Sequence, residues 1–238
     1  MLYEIGETHR DDTGLIIPDA DRYRQLIAGF AQTPNHQIGV IFDYDGTLTP
    51  CHTNSWDAPS ILDEGWEIEA ARLREEYRAG RMTEEEFMRG SFAYLQEHNL
   101  AERIAELKPE RLPLRIGATS ILQLASQTGA NIVYSAEIGD LVEPHINYVA
   151  DTIGIARPHV FANQIMGDNS IMGKTKDGNK LSQLAQQRGI SLSDLTQLII
   201  VGDSISDERM LQGLEFEQAL KIGIISPEKA QDPAQVQR

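Results

Sequence analysis

Four short stretches of this chain carry side chains suited to chemistry on an anionic group. The densest is Val40-Ile-Phe-Asp43-Tyr44-Asp45-Gly46-Thr47-Leu48-Thr49. Two carboxylates two residues apart, at the end of an apolar run and followed by Gly-Thr, can both approach one cation while the glycine lets the backbone turn sharply. Alone, Asp-x-Asp-Gly reads equally well as a solvated turn. An EF-hand loop is excluded by register: it needs Gly sixth and Glu twelfth, whereas Gly46 is fourth from Asp43 and Asn54 is twelfth. The second stretch, Leu198-Ile-Ile-Val-Gly202-Asp203-Ser204-Ile-Ser-Asp207, repeats the theme of an apolar run ending in Gly and a carboxylate. The third, Ile132-Val-Tyr-Ser135-Ala136, ends in a hydroxyl able to donate to a phosphate oxygen, although Ser after a strand is more often a turn or cap residue. The fourth is Lys180, a cation at the expected start of the helix before the Asp203 strand.

These side chains need a scaffold that brings strand ends to one edge. Ile38–Phe42 and Leu198–Val201 are short, β-branched and uninterrupted by polar residues, the pattern of strands buried on both faces of a parallel sheet. Around them the pattern predicts a helix from about Asp19 to Phe30, a helix at Ala118–Gln127 and a strand at Asn131–Tyr134. Further on it predicts a helix at Asp140–Thr152, a short run at His159–Phe161 and a hairpin within Asn163–Thr175. Last come a helix at Lys180–Arg188, a helix at Asp207–Gly213 and a strand at Ala219–Ile224. From Ile61 to Leu107 the pattern is almost wholly helical, broken near Ala79-Gly80, where Thr83 and Glu86 have capping-box spacing. The expected fold class is therefore α/β: a Rossmann-like parallel sheet with helices on both faces and an inserted α-helical cap. Residues 1–50 and 112–238 form the expected core domain and 51–111 the cap; the first ten residues and the last dozen read as loose ends.

Composition narrows the functional classes. The 238 residues carry 21 Lys and Arg against 36 Asp and Glu, a net charge of −15, which repels polymeric nucleic acid and anionic lipid. Apolar runs fall far short of the ~20 residues of a membrane span. The single cysteine, Cys51, has no disulfide partner and, beside His52, too few companions for zinc, so a cytoplasmic location fits. Gly167-Asp-Asn-Ser-Ile-Met-Gly173-Lys174-Thr175 imitates a phosphate loop but has one intervening residue too many and no long apolar strand before it. A monomer is the default expectation.

Taken in order, the segments D-x-D-G-T-L-T, strand-Ser, Lys and G-D-S-x-S-D resemble the haloacid dehalogenase superfamily of phosphatases, with the helical insert placed as in members with a type I cap. Tyr134-Ser-Ala-Glu-Ile-Gly-Asp140, Asn179-Lys180, Gly202-Asp-Ser-Ile-Ser-Asp-Glu-Arg-Met210 and Leu220-Lys-Ile-Gly223 look like the pyrimidine 5′-nucleotidase (cytosolic 5′-nucleotidase III-like) branch. Phe161-Ala-Asn163, the Gly80-Arg-Met-Thr-Glu segment and the 23-residue step from Lys180 to Asp203 look more like phosphoserine phosphatases. Glu137 departs from the Gly of the nucleotidase S-A-G, and Met88-Arg-Gly-Ser-Phe92 lacks the acidic residue of that branch's cap.

The resemblance implies a Mg²⁺-dependent phosphatase that hydrolyses a small phosphorylated metabolite, a nucleoside 5′-monophosphate among the candidates, through an aspartyl-phosphate. Asp43 is then the nucleophile and Asp45 the acid and base, with Asp43, the Asp45 carbonyl and Asp203 on the metal. Thr47, Ser135, Ala136 and Lys180 contact the substrate. Lys174 and Lys176 compete for the role given to Lys180, which has the better spacing. Asp207 orients the lysine or a metal-bound water, and Trp56, Trp66, Phe87 and Phe92 are candidate cap-pocket aromatics that serve equally well as core. The rival readings are a phosphoserine-phosphatase-like enzyme, a phosphotransferase, and a non-catalytic phosphate-ligand binder or signalling domain.

Overall fold

The structure is a computed structural model that describes residues 9–10, 16–17, 20–50, 64–98, 108–163 and 176–225. A two-residue antiparallel pair, β1 (His9–Arg10) with β2 (Ile16–Ile17), precedes helix α1 (Ala20–Gln32), so His9 and Arg10 are paired where the sequence suggested a loose end. Then come β3 (Ile38–Phe42), α2 (Glu64–Arg78), α3 (Glu84–Glu97), α4 (Ala118–Ala125), β4 (Ala130–Ile138) and α5 (Gly139–Ile153). The chain continues with β5 (His159–Asn163), α6 (Gly178–Gln187), β6 (Gln197–Gly202), a 3₁₀ helix (Ile205–Leu211) and β7 (Gln218–Gly223).

Five strands form one all-parallel sheet in the order β5-β4-β3-β6-β7. This is the expected doubly covered α/β sheet, and its side chains show why it is covered. Val40 and Phe42 on β3 join Val133, Leu122, Val142 and Ile146 in one apolar cluster, while Ile41 joins Ile132, Ile200, Leu181 and Met210 on the other face. Every residue of β3 is buried, so no polar alternation is tolerated and the sequence reads as a plain apolar run. From β3 the chain winds outward through β4 to β5, and from β6 the other way to β7. The crevice at the carboxyl ends of β3 and β6 is thus the sheet's switch point, where open parallel sheets bind ligands.

Between β3 and β4, α2 and α3 pack on each other, with Leu73 buried and pressed so closely on Gly90 that a Cβ there would lie 2.9 Å from Leu73 Cδ2. The anticipated capping box opens α3: Thr83 N–H donates to Glu86 Oε2 at 2.7 Å and Glu86 N–H to Thr83 Oγ1 at 3.2 Å. Phe87 meets the Tyr77 ring at 5.6 Å between centroids, a contact within the hairpin itself. Trp56, Cys51, His52 and the hairpin anticipated after Asn163 lie outside the described residues, as do the side chains of Trp66 and Phe92. Among the described residues, no helix is long and apolar enough to cross a membrane.

Candidate active site

The turn after β3 is built around one carbonyl. Leu48 N–H and Thr49 N–H donate to Tyr44 O at 2.9 and 3.1 Å, and Gly46 passes through φ 71°, the left-handed region that only glycine enters without cost. Gly46 also lies against Asp203, where a Cβ would sit 2.4 Å from Asp203 Oδ2. A bare backbone is required here for steric as well as conformational reasons.

Asp43 follows the last residue of β3, is almost fully buried, and is held in line by its N–H donating to Val201 O at 2.9 Å. Both of its carboxylate oxygens are engaged: Thr47 Oγ1 donates to Oδ2 at 3.1 Å and Lys176 Nζ to Oδ1 at 2.5 Å. Lys176 also donates to Asp207 Oδ1 at 2.7 Å, while Asp207 Oδ2 accepts from Ser204 N–H at 2.9 Å in the capping box of the 3₁₀ helix. Carboxylate oxygens of Asp43, Asp203 and Asp207 all lie within 4.8 Å of one another. The two strand ends thus converge on one edge, as the parallel arrangement demands. Asp207 sits in a 3₁₀ turn where the sequence suggested an α-helix, because the capping box closes on a segment of only seven residues.

Burial pushes the Asp43 carboxyl up to about 7, opposed by the Lys176 charge and reinforced by that of Asp207. Burial alone would lower Lys176, but the charges of Asp43 and Asp207 outweigh it and hold the ammonium above its ordinary value. Three carboxylates lie close to one ammonium, so acidic groups outnumber the cation. Closely spaced hard oxygen donors with that excess fit a divalent cation.

The lysine that the structure places beside Asp43 is Lys176, whereas spacing along the chain favours Lys180. Asp177 is the N-cap of α6, its Oδ1 accepting from Asn179 N–H at 2.8 Å and Lys180 N–H at 3.2 Å. Lys180 therefore lies in the first helical turn, whereas Lys176 precedes the cap. Tyr134 fixes that segment: its hydroxyl donates to Asp177 O at 3.3 Å and accepts from Asp177 N–H at 3.2 Å. Gly178 is pressed against the backbone of Met210 and Gln212, which seats α6 on the Asp207 turn. Lys174 lies outside the described residues.

Ser135 is buried within β4, two residues beyond the last one paired with β3, its Oγ accepting from Glu137 N–H at 3.1 Å. Asn163, buried at the end of β5, donates to Ala136 O at 2.6 Å and fixes the backbone beyond Ser135. Asp45 is buried and hydrogen-bonds to Glu137. Burial first, then the Asp45 charge and the hydrogen bond to it, raise the Glu137 carboxyl well above its ordinary range. The sequence marked Glu137 only as a departure from a motif; the contact with Asp45 is not legible from chain order. Thr47, expected as a substrate contact, places its hydroxyl on Asp43.

The fold and the strand-end site define a parallel α/β enzyme with acidic chemistry at the switch point. Residues 40–212 match the model of the haloacid dehalogenase-like hydrolase family. The chain belongs to that family of hydrolases. Comparison with curated proteins finds no match. Among solved structures, one similar fold is cytosolic 5′-nucleotidase IIIB bound to cytidine, with TM-score 0.61 and 15% identity over 90% of this chain and 88% of that one. Another is a protein of unknown function from Bordetella pertussis Tohama I, with TM-score 0.53 and 18% identity over 74% of this chain and 86% of that one.

Proposed function

We propose that this hydrolase is a Mg²⁺-dependent phosphomonoesterase working through an aspartyl-phosphate on Asp43. The observation that carries the reading is the convergence of Asp43, Asp203, Asp207 and Lys176 at the ends of β3 and β6. Asp43, the Asp45 carbonyl and Asp203 would hold Mg²⁺, which when bound offsets the negative charge of carboxylate and phosphate. A carboxylate oxygen of Asp43 bonds to phosphorus as the ester P–O bond breaks, and the leaving oxygen takes a proton from Asp45. Asp45 then takes a proton from water, whose oxygen attacks phosphorus, releasing phosphate and freeing Asp43. Lys176 takes the role first given to Lys180: it holds Asp43 and balances part of the charge. The Ser135 hydroxyl and the backbone at Ala136 steady the phosphoryl oxygens, and Thr47 orients the nucleophile.

The α2–α3 hairpin, within residues 51–111, acts as the cap that covers the leaving group, and the protein works as a cytoplasmic monomer. The fold shared with cytosolic 5′-nucleotidase IIIB makes nucleoside 5′-monophosphates the first esters to assay among small phosphorylated metabolites. The test is hydrolysis of p-nitrophenyl phosphate with and without Mg²⁺ by the wild type and by Asp43→Asn. A loss of roughly a thousandfold or more in kcat for the variant, and abolition by chelator, are expected. Turnover that survives either change overturns the reading.

A further inference from the structure

Tyr44 stands between the two strand-end aspartates, yet it turns away from the site and into the core. It is fully buried, and its hydroxyl lies 2.5 Å from Nδ1 of His145, itself buried on α5 and 101 residues away in sequence. The rings meet edge to face with centroids 5.8 Å apart. His145 also hydrogen-bonds to the Leu112 backbone. The Leu112 carbonyl can only accept, so the ring keeps a proton for it and leaves Nδ1 to accept from the Tyr44 hydroxyl.

Leu112 begins the segment by which the chain returns from the helical insert to the core. Three residues on, Arg115 N–H donates to Leu48 O at 2.7 Å and Arg115 Nη2 to Gly46 O at 2.6 Å. The turn bearing Asp43, Asp45 and Thr47 is therefore tied to the return segment twice through Arg115 and once through the Tyr44–His145 pair. Apolar side chains of Val142 and Ile146, on the same helix as His145, belong to the apolar cluster that includes Tyr44. A purely apolar partner would fill this space without fixing the direction of the tyrosine. The polar pair fixes it, because a buried hydroxyl and ring nitrogen left unmatched are costly.

We propose that His145 is a positioning residue for the Asp43–Thr49 turn, acting through Tyr44 and anchored on the return segment at Leu112. The inference rests on the phosphatase reading for its kinetic consequence, but its structural content is measurable without activity. The experiment compares the wild type, Tyr44→Phe, which removes one oxygen and keeps the shape, His145→Gln, and the double variant. The readouts are kcat and KM for p-nitrophenyl phosphate with Mg²⁺, and amide hydrogen exchange of the whole protein.

Tyr44→Phe is expected to lower kcat about tenfold with KM within about twofold, and to speed exchange at Leu48 and Thr49, whose N–H groups rest on Tyr44 O, about tenfold, leaving β3 unchanged. The double variant is expected to be no worse than the poorer single one, since both remove the same link. Unchanged exchange at the turn in Tyr44→Phe overturns the proposal, as does faster exchange spread evenly over the core, or losses that multiply in the double variant. Should His145→Gln fail to fold, Tyr44→Phe alone decides. A wild type without phosphatase activity sinks the functional reading and leaves the exchange result to judge the positioning role.

Discussion

Replacing Lys176 separates the site described above from the one that spacing along the chain suggests. Lys176 is a partly buried cation between two carboxylates, with side-chain exposure of 17% against 2% for Asp43 and 3% for Asp207. Lys176→Met keeps the length of the side chain and removes the charge. Removing one partner of a buried ion pair leaves an uncompensated charge and costs about 3–5 kcal/mol. Asp43 offers partial relief, because burial already raises its carboxyl to about 7 and loss of the ammonium raises it further. A folded-state value raised above the unfolded one gives stability that is present at low pH and lost as pH rises through it. The destabilisation should thus be near the upper figure at pH 8 and clearly smaller at pH 5.5. Urea unfolding at both values measures it. Mg²⁺ bound as proposed would supply positive charge to the same oxygens, so it should raise the Tm of Lys176→Met more than that of the wild type. Lys180→Met, in the first turn of α6, should fall within about 0.5 kcal/mol of wild type. On activity, Lys176→Met should lose roughly 100-fold or more in kcat. Equal effects of the two substitutions, or a larger one from Lys180→Met, would refute the reasoning.

Two further outcomes follow from buried groups around the site. Gly202→Ala should lower stability by about 1–3 kcal/mol and weaken Mg²⁺-dependent activation, because the added methyl would lie 2.2 Å from Asp207 Oδ2 and 2.7 Å from its Cβ; a Mg²⁺ titration of activity checks it. His145 is lowered from 6.5 to about 4 by burial, against the pull of its Leu112 hydrogen bond, so the unfolded chain takes up a proton that the fold refuses. Stability should therefore fall as pH drops from 6.5 toward 4, by about 3 kcal/mol at ~1.4 kcal/mol per pH unit, and His145→Gln should remove that component from urea unfolding curves measured across the window.

The strands that place the carboxylates are legible in sequence for a simple reason. Ile38–Phe42 and the Leu198–Gly202 part of β6 are packed into the sheet, so their burial appears as apolar runs, and the carboxylates follow directly after them. The cap of α3 is legible because Thr83 and Glu86 satisfy each other within four residues. Lys176 is a different case. Counting from Asp203 favours Lys180, but direction is set by where α6 begins, and its N-cap is Asp177, which residue type alone does not separate from the equally good candidate Asn179. Read as a cap, Asp177 leaves the preceding lysine outside the helix. No local signal marks Tyr44 with His145 or Asp45 with Glu137, because each pair is brought together by the packing of separate elements.

Glu137 sharpens the electrostatic problem that an acidic chain faces in handling phosphate esters. A fourth carboxylate beside Asp45 would add to the acidic groups of Asp43, Asp203 and Asp207, which outnumber Lys176. Burial and the neighbouring Asp45 both act against its ionisation, raising Glu137 well above the ordinary carboxylate range. Its carboxyl is hydrogen-bonded to Asp45. The ammonium of Lys176 is spent on the opposite side, on Asp43 and Asp207. In the proposed mechanism the ammonium lies beside the nucleophile, and the hydrogen bond with Glu137 lies beside the residue that passes the proton. Each neighbour thus suits the part proposed for its aspartate in a pair that divides attack from proton transfer.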